Sequence, residues 1–223
     1  MQKNKKNNQI KMVIFDFDGT LLDSNDIKKN CFYETLGDSK SSHDIMDDVL
    51  HDTSGDRYTI WRNFILKKGH TSNIDDNAFY LAERYSKILK KKLSQASPME
   101  GAVSLLRWLK TNKINISLSS ATPVVHLYET IEALDWSHYF TNIFGSPQSK
   151  IESLKYIEWK HKLNKTNMIV VGDGADDLES ALDFGCEFLP VHEARGLHDG
   201  AKTYNLLEII DFIKKRQKAS EDK

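Results

Sequence analysis

Short apolar runs alternate with stretches of helical periodicity along most of the chain. The strongest runs are continuous rather than alternately apolar and polar, which is typical of strands covered on both faces of a parallel sheet. The pattern therefore predicts buried parallel strands. They are Met12 to Phe15, Ile114 to Leu118, Met168 to Val171 and Glu187 to Val191, with a weaker strand at Asn142 to Phe144.

Between these strands, apolar residues recur at the spacing of an amphipathic helix. Thr122 followed by Pro123 is a favourable helix start, and Ser149 with Glu152 matches a capping box. Because strands alternate with helices, the fold class is α/β, with a sheet built of right-handed crossovers. The predicted helices are Ala102 to Leu109, Pro123 to Leu134, Ser149 to Trp159, Leu178 to Phe184 and Leu206 to Ile213.

The segment from about Ser24 to Ser97 departs from this alternation, because helical patterns fill it and no convincing strand does. We predict a small helical domain inserted after the first strand, with Pro98 and Gly101 as breakers in the return linker. Its helices are Asp26 to Leu36, Ile45 to Leu50, Tyr58 to Lys67 and Asp75 to Leu93. The predicted domains are a core at 11–23 and 98–215, the insertion at 24–97, a disordered tail at 1–10 and a second tail at 216–223.

Composition narrows the class of protein without naming a reaction. The formal net charge of -1 gives no reason to expect nucleic acid or an anionic membrane surface as partner. The 2 cysteines form no CxxC pair, so a disulfide scaffold or a cysteine zinc site is not expected. No apolar run approaches the roughly 20 residues of a membrane span, and the polar start of the chain lacks a signal-peptide core. We expect a cytoplasmic protein, as a monomer or homodimer.

Acidic and small polar residues follow the predicted strands. Asp16 and Asp18 come after the first strand, Ser119 and Ser120 after the second, and Lys150 on the first turn of the helix after the weak strand. Asp173, Asp176 and Asp177 come after the strand at Met168 to Val171. The carboxyl ends of parallel strands line one edge of an open sheet, where ligands bind. These residues are therefore expected to converge.

The expected charges suggest a type of chemistry. Several carboxylates in one crevice repel each other, and burial penalises them further. A divalent cation relieves both effects, and hard oxygen ligands suit Mg²⁺. Lys150 and Ser119 are suited instead to an anion, and N–H groups near a helix start around Ser120 add to this. Carboxylates with Mg²⁺ on one side and anion-binding groups on the other predict phosphoryl transfer.

The sequences "DFDGTLLDS", "GSPQSKIESL" and "VVGDGADDLESA" occur in this order. They resemble the motifs of the haloacid dehalogenase-like hydrolases, in the branch of phosphoglycolate phosphatase and β-phosphoglucomutase. The resemblance extends from Val13 to about Pro190. It implies a Rossmann-like parallel sheet core with helices on both faces, and it identifies the insertion as a small all-helical cap.

The resemblance also implies roles for individual residues. Asp16 matches the nucleophile that becomes an aspartyl phosphate, and Asp18 matches the general acid and base. Because strand residues two apart point the same way, both carboxylates are expected to face the site. Asp177 matches the second acid of the family motif GDxxxD. Asp176 lies one residue before that position and could simply cap its helix. Gly19 is expected to allow a sharp turn, and Thr20 to fasten the loop. The expected metal ligands are Asp16, the main-chain carbonyl of Asp18, Asp173 and Asp177. The expected phosphate-binding residues are Ser119, Ser120 and Lys150.

Asp18 favours a phosphatase among the family's reactions, because dehalogenases lack this second acid. The related mutases place a histidine about ten residues beyond it, where this chain has Lys28, so a mutase is the less favoured alternative. A phospho-acceptor receiver module or a silent binding protein is the alternative from another class. The expected substrate is a small phosphorylated metabolite, with phosphoglycolate, a sugar phosphate and a nucleotide all open.

Arg57 is the candidate specificity residue of the cap, since it resembles an arginine in the caps of some phosphoglycolate-phosphatase-like members. Such a guanidinium could bind a carboxylate or a second phosphate with two hydrogen bonds. The alternative is an ordinary surface residue of a helix.

Overall fold

The computed structural model describes residues 9–53, 55–93, 95–192 and 202–221. Its centre is a 5-stranded sheet with the strand order β3-β2-β1-β4-β5, in which all paired strands run parallel. The strands are β1 (Met12–Phe15), β2 (Asn115–Pro123), β3 (Asn142–Ser146), β4 (Met168–Gly172) and β5 (Glu187–Pro190). Every predicted strand is therefore present, including the weakly predicted one, which is β3.

The α-helices occupy the segments where the periodicity predicts them. Those of the insertion are α1 (Asn25–Leu36), α2 (Lys40–Asp52), α3 (Arg57–Lys67) and α4 (Ile74–Leu93). Those that flank the sheet are α5 (Ala102–Thr111), α6 (Val124–Ala133), α7 (Lys150–His161), α8 (Ala175–Phe184) and α9 (Leu206–Glu221). Among the described residues, no helix combines the length and the apolar character that a membrane span requires.

Both faces of the sheet are buried, as the continuous apolar runs predict. Successive residues of a strand point to opposite faces. Val13 and Phe15 accordingly belong to one hydrophobic cluster with α5 and α9, whereas Met12 and Ile14 belong to a second cluster with α7 and α8. Helices on both faces of a parallel sheet confirm the predicted Rossmann-like core.

The four inserted helices form a cap with its own hydrophobic cluster. Its centre is aromatic: the Phe32 ring stacks on Tyr85 with centroids 4.3 Å apart and lies 5.3 Å from that of Trp61. The two linkers run side by side, because the Asp23 N–H donates to the Ser97 carbonyl at 2.9 Å. The helical cap inserted after the first strand is thus confirmed.

The main error in the predicted elements concerns the end of β2. The expected strand stops at Leu118 and the expected helix begins at Pro123, whereas β2 continues to Pro123 and α6 begins at Val124. Thr122 is therefore a strand residue rather than a helix cap. Its side chain donates to Asp18 instead. The helix expected from Leu178 also begins earlier, at Ala175.

The predicted tails are shorter than expected where the structure describes them. Residues 1–8, 222 and 223 lie outside the described residues, but Ile10 is buried in the core. Helix α9 continues to Glu221, and the Gln217 amide donates to the Ile10 carbonyl at 3.0 Å. The described ends belong to the fold because they pack on each other. The other domain boundaries stay a prediction.

Candidate active site

Three carboxylates meet at the carboxyl edge of the sheet. Asp16 directly follows β1, Asp173 directly follows β4, and Asp177 lies on the first turn of α8. Each offers an oxygen atom, and these atoms all lie within 4.8 Å of one another; all three residues are buried. The parallel topology brings them together although more than half the chain separates Asp16 from the other two.

Burial and mutual repulsion make it unfavourable for all the carboxylates of this cluster to be ionised together. Burial raises the pKa of the Asp16 carboxyl well above its usual range; Lys150 opposes this rise, and the carboxylates of Asp177 and Asp173 add to it. Burial likewise raises the pKa of Asp177 to about 6, against the opposing charge of Lys150. A divalent cation would relieve this repulsion, and buried carboxylate oxygens are the ligands that Mg²⁺ prefers. The residues present therefore fit a divalent metal.

Lys150 is the cation of this cluster. Helix α7 begins at Lys150 because Ser149 and Glu152 form the predicted capping box. The Lys150 ammonium lies 2.6 Å from Asp177 Oδ1, 2.8 Å from Asp176 Oδ2 and 3.3 Å from Asp16 Oδ1. Burial would lower the pKa of Lys150, but the surrounding carboxylates raise it well above its usual range. The side chain therefore stays charged.

Asp18 has different surroundings, although it lies only two residues beyond Asp16. Its Oδ1 accepts a hydrogen bond from Ser24 Oγ at 2.7 Å, and its Oδ2 accepts one from Thr122 Oγ1 at 2.7 Å. Lys28 forms an ion pair with the same carboxylate. Burial would raise the pKa of Asp18, but the charge and hydrogen bond of Lys28 and the two hydroxyl donors lower it. Strand β1 ends at Phe15, so the alternation expected to align the two carboxylates does not reach Asp18.

The loop after Asp18 is fixed against the metal-ligand candidate Asp173. Gly19 has a φ of +79°, and a side chain there would collide with Asn25 and with Asp173. Thr20 Oγ1 donates to Asp173 Oδ1 at 3.0 Å, and Asn25 Nδ2 donates to Asp173 Oδ2 at 2.9 Å. Gly19 and Thr20 thus have the turn-forming and fastening geometry that the sequence predicts.

The predicted anion-binding residues adjoin the carboxylates. Ser119 is buried in β2 and borders the same internal gap as Asp16, Lys150 and Asp177, a gap too small for a water molecule. Ser120 instead lines a larger cleft of about 370 Å³, which Lys150 borders and which the cap residues Asp56 and Thr59 also line. The cleft lies at the boundary between core and cap, and Lys150 and Asp176 are the lining residues that connect it to the carboxylate cluster.

Arg57 lies inside the cap rather than on its surface. Only 6% of the residue is exposed, so the surface alternative is wrong. Its guanidinium donates to Ser86 Oγ at 2.7 Å and lies 5.3 Å from the centroid of the Tyr85 ring. No carboxylate of the described residues forms an ion pair with it, and it does not line the larger cleft. Its contact with a substrate stays a prediction.

Sequence reasoning missed the residues that hold Asp18, and of those that hold Asp173 it identified Thr20 but missed Asn25. Ser24, Asn25 and Lys28 lie at the start of α1, and each contacts one of these two carboxylates. A helix brings residues three and four apart onto one face, so Asn25 and Lys28, just beyond "DFDGTLLDS", could have been considered together. Thr122 was missed because the pattern assigned it to a helix cap.

The chain matches the family model described as haloacid dehalogenase-like hydrolase over residues 13–191. It belongs to the haloacid dehalogenase-like hydrolase family. The match covers the five strands apart from the first residue of β1, it covers the cap, and it contains every candidate site residue discussed above. The predicted membership is confirmed.

Other proteins resemble this chain over nearly its whole length. An uncharacterised hydrolase of Saccharomyces cerevisiae, YOR131C, is 25% identical over 226 residues, covering 95% of this chain and 94% of that protein. A predicted phosphoglycolate phosphatase from Haemophilus somnus has a TM-score of 0.76 at 15% identity, covering 92% of this chain and 98% of its own. A candidate beta-phosphoglucomutase from Thermotoga maritima has a TM-score of 0.68 at 18% identity, covering 92% and 99%. These two structural likenesses show the fold, which phosphatases and mutases share.

Proposed function

We propose that this hydrolase is a Mg²⁺-dependent phosphatase that cleaves a small phosphate monoester through an aspartyl phosphate on Asp16. One observation carries the proposal. Asp16 lies with two further carboxylates and Lys150 in one buried cluster, while Asp18 stands outside the cluster with its own donors. This arrangement supports the roles proposed here: a nucleophile, a metal site, an anion-binding cation and a separate acid at one sheet edge.

The metal would be held by the carboxylates of Asp16, Asp173 and Asp177 and by the main-chain carbonyl of Asp18. When bound, Mg²⁺ neutralises charge on the transferring phosphoryl group. The Lys150 ammonium and the Ser119 hydroxyl would bind the phosphoryl oxygens, so that the phosphorus is held in line with Asp16. The cap would exclude bulk water from this step.

The chemistry of the chain's own residues has two halves. In the first, an Asp16 oxygen bonds to phosphorus, the ester P–O bond breaks, and Asp18 gives its proton to the leaving oxygen. In the second, Asp18 takes a proton from water, the water oxygen bonds to phosphorus, and the bond to Asp16 breaks. Inorganic phosphate is released and Asp18 is protonated again.

The surroundings of Asp18 in this structure suit the second half of the proposed reaction, in which Asp18 acts as a base. Lys28 and two hydroxyl donors lower the pKa of Asp18 and so favour the carboxylate, which is the base. Proton donation in the first half requires the protonated form. We expect the leaving group to draw Lys28 away from Asp18 when substrate binds, because an anionic or hydroxyl group there would compete for the ammonium.

Substrate selection is proposed to involve Arg57. A buried guanidinium is costly unless an anion or several acceptors accompany it, and the described residues provide one hydroxyl and one aromatic ring. A carboxylate or second phosphate on the substrate would complete its hydrogen bonds. This favours small phosphorylated metabolites that carry a second anionic group.

A phosphosugar mutase is the second candidate. Lys28 contacts the acid Asp18, and its position in the chain is the one that the family resemblance assigns to the mutase histidine. A mutase would return its phosphoryl group to a sugar and would release little inorganic phosphate. A phosphatase would release one phosphate for each ester consumed.

The test is phosphate release from p-nitrophenyl phosphate with Mg²⁺, followed by a panel of phosphorylated metabolites at the same Mg²⁺ concentration. We expect sustained turnover that stops with EDTA and returns with excess Mg²⁺. Unchanged rates in chelator would contradict the metal requirement. Release of less than one equivalent per enzyme would favour a receiver or binding protein.

A further inference from the structure

Asn25 is the first residue of the cap helix α1, yet its side chain contacts the core at Asp173. Asp173 has two carboxylate oxygens with different partners. Oδ1 accepts from Thr20 of the core at 3.0 Å, whereas Oδ2 accepts from Asn25 of the cap at 2.9 Å. The orientation of this candidate metal ligand therefore depends on one residue from each domain.

The contact is closely packed. The Asn25 amide and the Asp173 carboxylate both lie against the α-carbon of Gly19, where any side chain would overlap them. Gly19 directly follows Asp18 and adopts a φ of +79° that other residues rarely tolerate. The loop bearing the acid therefore leaves room for the amide of a cap residue to reach the metal-ligand candidate.

The other contacts between cap and core do not reach the three-carboxylate cluster. Ser24 and Lys28 bind Asp18, which stands outside it. Three further hydrogen bonds of the described residues lie elsewhere, between Lys28 and Thr122, between Asp56 and Ser146 and between Lys90 and Glu129. Among the cap–core hydrogen bonds of the described residues, the one from Asn25 is thus the direct link between the cap and the cluster.

We infer that Asn25 is a positioning residue that couples binding of a divalent cation to docking of the cap. The inference rests on the metal site of the proposed function. Residues that hydrogen-bond a metal ligand fix its orientation, and their loss typically weakens metal binding by 10–100-fold. Because such coupling is reciprocal, a cation that favours the oriented Asp173 must also favour the docked start of α1.

The first test measures Mg²⁺ affinity of the full chain by isothermal titration calorimetry, without substrate. Asn25→Ala should bind Mg²⁺ about 10-fold more weakly than the wild type, because the Asp173 carboxylate loses its second donor. Lys90→Ala is the matched control, since Lys90 also joins cap to core but contacts only the exposed Glu129. Its Mg²⁺ affinity should equal that of the wild type.

Equal or tighter Mg²⁺ binding by Asn25→Ala would overturn the inference. A similar loss in Lys90→Ala would also overturn it, because general loosening of the cap would then suffice. Absence of Mg²⁺ binding by the wild type would overturn the metal site of the proposed function as well. A failure of the Asn25 inference can therefore be distinguished from a failure of the proposed metal site.

The second test needs no variant to fold. Hydrogen exchange of the wild type is followed with and without Mg²⁺, by mass spectrometry of peptides. Mg²⁺ should slow exchange in α1 as well as in the loops after β1 and β4. Protection confined to those two loops, with α1 unchanged, would show that the cation does not act on the cap.

Discussion

Asp16 and Asp18 lie two residues apart and are both buried, yet they belong to two regions with opposite electrostatics. The Asp16 region contains three clustered carboxylates and Lys150, and burial raises the pKa of Asp16 well above its usual range. The Asp18 region contains one carboxylate with Ser24, Thr122 and Lys28, which lower its pKa despite burial. The first region has one ammonium for several carboxylates, whereas the second has one ammonium for one carboxylate. In the proposed function, this difference separates the nucleophile beside the metal site from the acid and base that residues of the cap contact.

The largest expected effects are on turnover, and they test whether both regions serve one reaction. Asp16→Asn should reduce phosphate release to background, because the proposed phosphoenzyme forms on the Asp16 carboxylate. Asp18→Asn should reduce it by about 10²–10⁴-fold, the usual contribution of a general acid and base. Steady-state assays with p-nitrophenyl phosphate measure both, with circular dichroism to verify folding. Full activity in either variant would contradict the assigned roles.

The same two variants should differ in stability, which tests the electrostatic comparison without any substrate. An Asp whose folded-state pKa is raised destabilises the fold while ionised, so Asp16→Asn should raise the unfolding temperature at neutral pH in EDTA. Asp18→Asn should lower the free energy of unfolding by about 1–3 kcal/mol, because Lys28 and two hydroxyls lose their anionic partner. Thermal and urea unfolding check these signs. If both variants changed stability in the same direction, the proposed electrostatic difference between Asp16 and Asp18 would be contradicted.

The Arg57→Ala variant tests whether the cap provides a second anion-binding site, beyond the region around Asp18. We expect KM for a natural substrate with a second anionic group to rise about 10-fold, the effect of losing one charge-assisted contact worth roughly 1.4 kcal/mol. KM for p-nitrophenyl phosphate should change little. Arg62→Ala is the control, since Arg62 lies on the same helix but is exposed beside Asp75. Equal effects of Arg57→Ala on both substrates would assign Arg57 to cap packing alone.

The smallest expected effect concerns a cap–core contact outside both regions. Asp56 caps α3 through the Thr59 N–H and accepts a hydrogen bond from Ser146; burial opposes these contacts, but together they lower its pKa. Asp56→Ala should cost about 1 kcal/mol of stability at pH 6. A lowered pKa gives stability that is present above the unfolded value of about 3.9 and is lost as pH falls through the folded value. The difference from the wild type should therefore shrink at pH 3 in urea unfolding.

Most of the fold and much of the site could be predicted from the sequence. Met12 to Phe15 is β1 to the residue, and the helical periods locate all nine described α-helices. Two of these helices are longer than predicted, because α2 begins at Lys40 rather than Ile45 and α9 ends at Glu221 rather than Ile213. The convergence of Asp16, Asp173 and Asp177 follows from parallel topology, because strand ends share one edge. Ser149 and Glu152 place Lys150 correctly, since a capping box is a local signal.

The remainder depends on contacts that no local pattern records. The surroundings of Asp18 come from Ser24, Lys28 and Thr122, which belong to the linker, the cap and a strand, so only the docked cap reveals them. The extension of β2 to Pro123 is a tertiary effect, because pairing with β3 outweighs the helix-start signal of Thr122 and Pro123. The burial of Arg57 likewise depends on how α3 packs against α4.

The central claim is that phosphorus bonds to Asp16, and one trapping experiment tests it most directly. Asp18→Asn is mixed with p-nitrophenyl phosphate and Mg²⁺, quenched in acid and digested for mass spectrometry. The p-nitrophenolate leaving group needs little protonation, so the phosphoenzyme should form, while its hydrolysis lacks the base. We predict a phosphoryl group on Asp16 and none on Asp16→Asn. A phosphoryl group on another residue, or none while the wild type turns over, would contradict the account.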